Sequence, residues 1–161
     1  MADTPTAATA AADSATFNVA RVYLKDLSLE LPGAPEIFLE QGQPATEVEL
    51  QVAARNLNNG HFEVTTTATV TTKVGDKVLF LVEGTQGGIF EIRGVPEDQL
   101  EPLLEIVCAG IVYPYLRANV ADAVTRASLP PVHLTEVNFQ AFYEAKKNAA
   151  AQQQQGAPSL Q

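Results

Sequence analysis

Two runs between Glu47 and Thr71 alternate apolar and polar residues, and two short turns punctuate the stretch up to Val82. Val48, Leu50 and Val52 alternate with Glu47, Glu49 and Gln51, and Asn58-Asn59-Gly60 follows. Phe62, Val64, Thr66, Ala68 and Val70 then alternate with Glu63, Thr65, Thr67, Thr69 and Thr71, and Gly75-Asp76 leads into Val78-Leu79-Phe80-Leu81-Val82. A period of two places successive side chains on opposite faces of a strand. Asn and Gly tolerate the positive φ of a tight hairpin turn, so neighbouring strands must run antiparallel. The last of these runs does not alternate. A strand apolar on both faces must be covered on both, either by a second chain or by a loop of its own.

The flanks complete the order of elements. Residues 1–15 are rich in Ala and Thr without periodicity and are expected to be a disordered tail. From Phe17 another strand begins, with Phe17, Val19 and Tyr23 on one face and Ala20, Val22 and Leu24 on the other. After Lys25-Asp26 the phase slips to Leu27, Leu29 and Leu31, with Ser28 and Glu30 opposite, which predicts a bulge. Residues 32–44 hold Pro32, Gly33, Pro35, Gly42 and Pro44 and form a long connection whose Ile37, Phe38 and Leu39 either dock on the domain or line a site. Pro96-Glu97-Asp98 suits a helix start. Leu100, Leu103, Leu104, Val107, Cys108 and Ile111 recur at helical spacing, and Gly110 and Pro114 are expected to split the helix in two. The second part carries Leu116, Val120 and Val124, with Arg117, Asp122 and Arg126 facing water, and Leu129-Pro130-Pro131 ends it. Asn138 is a candidate N-cap for a last helix bearing Phe139, Phe142 and Tyr143. Residues 148–161 are expected to be a second disordered tail, leaving 16–147 as one domain. Strands followed by helices predict an α+β fold, a four-stranded antiparallel sheet with helices packed on one face.

Chemistry is sparse in this sequence. The chain has 19 acidic and 10 basic residues, a net charge of −9, which argues against nucleic acid or an anionic membrane as partner and permits a basic one. Cys108 is the sole cysteine, so no internal disulfide or thiolate cluster can form. His61 and His133 have no companions at metal-ligand spacing, and Ser14, Ser28, Ser128 and Ser159 lack a nucleophile elbow. Gly84, Gly87 and Gly88 come without the lysine and hydroxyl of a phosphate-binding loop, and close chain approach is the expected reason for them. The N-terminus lacks a signal peptide's basic start and apolar core, and no apolar run is judged long enough to span a bilayer. A soluble cytosolic protein, without enzymatic activity and without direct membrane insertion, is expected.

Several blocks in order resemble the SecB family of bacterial protein-export chaperones. They are Tyr23-Leu24-Lys25-Asp26-Leu27-Ser28-Leu29-Glu30 with Pro32 and Ala34-Pro35; Gln86-Gly87-Gly88-Ile89-Phe90-Glu91-Ile92 with Gly94; Tyr113-Pro114-Tyr115-Leu116-Arg117; Leu129-Pro130; and Val137-Asn138-Phe139. Ala109 stands where the family commonly has Pro, and Gly84 where it usually has a larger residue. The resemblance implies a homotetramer, a dimer of dimers with sheets joined across protomers and the long helix between dimers. It implies an ATP-independent holdase without cofactors, which keeps precursor proteins unfolded and delivers them to the motor ATPase SecA. The acidic SecA-contact positions match Asp26, Glu30, Leu81 and Glu83. Ile37, Phe38, Phe139, Phe142 and Tyr143 are the client-groove candidates. A SecB-like chaperone of a toxin-antitoxin system, a small enzyme using apolar grooves, and a purely structural oligomer are the alternatives.

Overall fold

The computed structural model describes residues 14–155. Four strands, β1 (Thr16–Glu30), β2 (Pro44–Asn58), β3 (His61–Val74) and β4 (Lys77–Arg93), form one antiparallel sheet in the order β1-β4-β3-β2. A helix α1 (Glu97–Arg126) and a second, α2 (Phe139–Gln155), follow. The expected α+β class, four antiparallel strands and the helices after them are all present. The β2–β3 and β3–β4 turns fall at Asn59-Gly60 and Gly75-Asp76, with positive φ at Asn58, Asn59, Gly60 and Gly75.

One face of the sheet is dry. Val64, Ala68, Val70, Val82 and Phe90 are fully buried under Val112, Leu116, Val120 and Val124 of α1. The four helix residues recur every fourth position, the spacing of one helix stripe. The other face carries Thr65, Thr67, Thr69 and Thr71 of β3 and stays partly solvated.

β1 differs from its expected faces. Its register slips at Leu24/Asp26, as anticipated, and also at Val19/Arg21. The extra slip puts Phe17, Val19, Val22, Leu24, Leu27 and Leu29 opposite Ile92, Phe90, Gly88, Gln86, Gly84 and Val82, all on the helix side. Tyr23 is thereby turned to the outer face, where it pairs with Gly87. Two bulges thus reconcile an irregular apolar pattern with one buried face.

The pattern of one strand is explained, and two further expectations need correction. The non-alternating run Val78–Val82 owes its pattern to a slip at Thr72/Lys73, which lets Leu79 and Phe80 both border the segment Leu129–Val132 of the same chain. Helix α1 is not divided at Gly110 or Pro114; it continues through both, and its irregularity is a π-helical segment at Leu103–Cys108, just after Pro102. Buried Val112, Tyr113 and Leu116 around Pro114 anchor the helix to the sheet and offset its missing N–H. Helix α1 is also long and apolar enough, by length and composition, to cross a membrane, contrary to the reading of the sequence. Its apolar stripe is instead spent on the sheet.

Helix α2 starts at the expected cap, since Ala141 N donates to Asn138 Oδ1 at 3.1 Å. It continues through residue 148 to Gln155, so the first part of the expected C-terminal tail is helical. The remainder of that tail, and residues 1–13 of the N-terminal one, lie outside the described residues.

Candidate functional site

The outer sheet face is polarised. Glu30 is registered with Leu81, Leu81 with Thr71, and Thr71 with Glu47. The next outward row reads Ser28, Glu83, Thr69, Glu49, and the one after it Asp26, Thr85, Thr67, Gln51. The four positions Asp26, Glu30, Leu81 and Glu83 therefore form one patch on adjoining strands. Thr69 Oγ1 donates to Glu83 Oε2 at 3.0 Å, fixing one carboxylate in it. Reading of the sequence missed Glu47 and Glu49 as members of this surface. Their alternation was visible, but only the register of β2 on β3 places them in the same rows.

The opposite end of this face holds Lys25 and Arg55 around a buried carboxylate, Glu63, with Arg21 in the same registered row. Glu63 is 5% exposed. It accepts hydrogen bonds from Lys25 Nζ at 2.7 Å, from Arg55 Nη2 at 2.8 Å and Nε at 3.1 Å, and from the Tyr23 hydroxyl. Gly87 makes this possible, because a Cβ there would lie 2.5 Å from Tyr23 Cζ. The glycine lets the tyrosine ring cross β4 to reach β3.

Burial pushes the Glu63 carboxyl up, but the hydrogen bonds from Lys25, Tyr23 and Arg55 outweigh it and hold the group below its usual range. The Tyr23 hydroxyl is pushed up to about 12, by burial first and then by its bond to the Glu63 carboxylate and the charge on it, against Arg55. The signs follow. Glu63 contributes stability that is complete above its unfolded pKa, near 4.5, and is lost as pH falls through its lower folded value. Tyr23 contributes stability that is complete below 10 and is lost as pH rises through about 12. Glu63→Gln is expected to flatten the acid limb of a urea-midpoint against pH curve. It should also bring the Tyr23 ionisation part of the way back toward 10, read by tyrosinate absorbance.

The client-groove candidates do not form one site. Ile37 is buried at 4% exposure and borders a cavity with Pro32, Gly33 and Val78 beside the β3–β4 turn. Docking is thus the role of its side chain, whereas Phe38 is 49% exposed. Phe139, Phe142 and Tyr143 lie elsewhere, on α2. Phe139 stands edge-on to Tyr113 at 5.4 Å and to Phe142 at 6.3 Å. Phe139 and Tyr143 are buried and Phe142 is partly buried.

Only Phe142 of the five borders the main groove. That cavity, of about 600 Å³, lies along the β2 edge between Thr46, Val48 and Leu50 on one side and Val132–Thr135, Val137 and Phe142 on the other. Tyr113 donates its hydroxyl to Thr135 O at 2.7 Å and so holds the extended segment in place as the groove's far wall. Shared residues join it to two smaller cavities: Thr46 and Val132 toward Pro44 and Leu129, and Leu50 and Phe142 toward Val52 and Lys146. The apolar side of β2 and the extended segment Val132–Val137 were legible as elements, but their juxtaposition was not.

The only cysteine sits inside the helix–sheet core, where burial raises its thiol to about 12 and keeps it protonated.

A family model described as preprotein translocase subunit SecB matches residues 10–150. The chain belongs to the SecB family. Protein-export protein SecB of Janthinobacterium sp. (strain Marseille) is 61% identical over 138 residues, covering 86% of this chain and 84% of the relative. Protein-export protein SecB of Bordetella petrii is 60% identical over 147 residues, covering 91% and 84%. Among solved structures, the Mycobacterium tuberculosis SecB-like chaperone Rv1957, in complex with a ChAD peptide from the Rv1956 HigA1 antitoxin, superposes with a TM-score of 0.62. It is 17% identical, with 75% of this chain and 90% of that one covered, and shows the shared SecB fold.

Proposed function

We propose that this SecB-family chain is an ATP-independent holdase of the bacterial cytoplasm that keeps precursor proteins unfolded and hands them to SecA for export. The observation that carries the reading is the apolar groove beside the open β2 edge. Val48 there is 51% exposed. An extended polypeptide added to a sheet edge is held by main-chain hydrogen bonds, which are indifferent to sequence, while pockets take alternate side chains. Binding only the unfolded chain lowers the concentration free to fold, so slow folders are captured best. Residues 16–147 form the chaperone domain in this reading. The export role is preferred to a toxin-antitoxin one because relatives about 60% identical over most of the chain are export proteins, whereas the antitoxin-bound neighbour is 17% identical.

SecA would dock on the acidic rows that contain Asp26, Glu30, Leu81 and Glu83. Of the client-groove candidates, Phe142 would touch client directly, Phe139 and Tyr143 would support α2 from behind, and Phe38, with Ile37 docked beside it, would form a separate, secondary contact.

A dimer of dimers accounts for a further part of the exposed apolar surface. β1 is an open edge whose helix side leaves Phe17, Val19, Leu24 and Leu27 between 37% and 46% exposed. Val107 and Tyr115 on α1 are 46% and 52% exposed. A long apolar edge without cover invites pairing with another strand, and a second copy supplies it.

Two measurements test this. At stoichiometric amounts the protein should delay refolding of a slow-folding precursor, and light scattering on a sizing column should give a mass near four chains that shifts with the unfolded precursor but not with the folded one. Val48→Asp should weaken capture roughly tenfold, about 1.4 kcal/mol, without changing the assembly. No delay of refolding by the wild type would end the holdase reading.

A further inference from the structure

A single side chain stands at one end of the groove along β2. Lys146, on α2, donates to both carboxylate oxygens of Glu105, at 2.7 and 2.8 Å, and to the backbone carbonyl of Val52, at 3.3 Å. These three acceptors match the three N–H donors of an ammonium. Glu105 lies in the π-helical segment of α1 and is 8% exposed, so its carboxylate is a fixed point on the helix layer. Val52 lies on the edge strand. One side chain thus bridges α2, α1 and the β2 edge.

The position matters more than the ion pair itself, since the Lys146 side chain is 48% exposed and water screens the attraction. Walking along the edge, Thr46, Val48 and Leu50 border the main cavity, and Leu50, Gln51 and Val52 border the next one with Phe142 and Lys146. Toward Pro44 the cavity borders Leu129–Val132, but β2 begins at Pro44, which has no N–H to pair, so pairing ends there. Toward Ala53 it meets Lys146, whose ammonium already occupies the Val52 carbonyl.

We propose that Lys146, held in place by Glu105, is an end stop that limits the paired client segment to the edge between Thr46 and Val52 and turns the client chain out of the groove there. The client is an extended segment of unfolded polypeptide with alternating apolar residues. The inference rests on the groove reading above. The footprint is then about seven residues, roughly 20 Å at about 3.3 Å per residue.

Fluorescence anisotropy with a length series of labelled peptides, five to fourteen residues of alternating Leu and Thr, tests this on the full chain. Wild-type affinity should rise with length and flatten near about seven residues. Lys146→Ala should move the plateau outward by about three residues, as Ala53–Arg55 become available, and bind the longer peptides about fivefold tighter or more through roughly two further net hydrogen bonds. Lys146→Arg should keep the wild-type plateau, and Glu105→Gln should move it in the same direction as Lys146→Ala. An unchanged plateau in Lys146→Ala overturns the end stop, including the case in which α2 merely loosens and all lengths change by one common factor. Failure of the groove reading looks different: the wild type binds none of the peptides, or Val48→Asp binds them all as well as the wild type does. Either result removes the end stop with it.

Discussion

Gly88→Val is expected to cost about 3 kcal/mol or more, a large share of the chain's stability. A Cβ at this position would lie 2.7 Å from Phe90 Cε2 and 2.8 Å from Val112 Cγ2. Both neighbours are fully buried. Overpacking by a methylene commonly costs about 1–3 kcal/mol, and valine adds a Cβ and two methyls where α1 rests directly on β4. Total stability of a domain is only about 5–15 kcal/mol, so a large drop in the urea midpoint or in Tm is the expected readout. Gly84→Ala is the internal control. Its nearest contact would be Leu116 Cδ1 at 3.1 Å, the end of a flexible side chain. That change should cost under about 1 kcal/mol. If Gly88→Val melted like the wild type, the close packing of α1 on β4 would be wrong.

Glu30→Lys with Glu83→Lys is expected to lower SecA affinity at least tenfold, about 1.4 kcal/mol, while leaving capture of unfolded precursor intact. Two reversals in adjoining rows change the sign of the patch's potential where a basic partner would meet it, and like charges across an interface are strongly disfavoured. The loss should shrink at high salt, because exposed charges are screened. Glu47→Lys is the more searching variant. It lies far from Glu30 in sequence but in the same registered row. If it weakens SecA binding too, the recognised surface spans the sheet; if only β1 and β4 positions matter, the site is confined to that edge. Calorimetry with purified SecA and a parallel refolding assay separate the two functions. Weakened client capture with unchanged SecA binding would reverse the assignment of the two faces.

Much of the fold follows from local rules. The hairpin turns, the Thr-rich face of β3, the cap at Asn138 and the start of α1 at Pro96-Glu97-Asp98 each rest on residues within a few positions of one another. The exceptions are equally specific. Tyr23 lies on the face opposite to the one its sequence pattern predicts, because a second bulge in β1 leaves only a faint mark in that pattern. Pro114 looks like a break in the sequence and is none in the fold, because a helix's tolerance of proline depends on what its buried residues touch. Gly84 leaves room that Leu116, Leu27 and Val120 fill from two different elements.

The sequence alone determined the order of strands and helices, the antiparallel pairing of neighbours through tight turns, and a family membership written in scattered blocks. These are short-range properties, set by backbone preferences and by side-chain periods of two and 3.6. The tertiary structure alone decided which carboxylates share a row, that Glu63 would be buried among Tyr23, Lys25 and Arg55, and that Lys146 would reach the edge of β2. Most of those juxtapositions join residues tens of positions apart, and register together with the docking of α2 on the π segment of α1, neither of which any local preference encodes, brings them together.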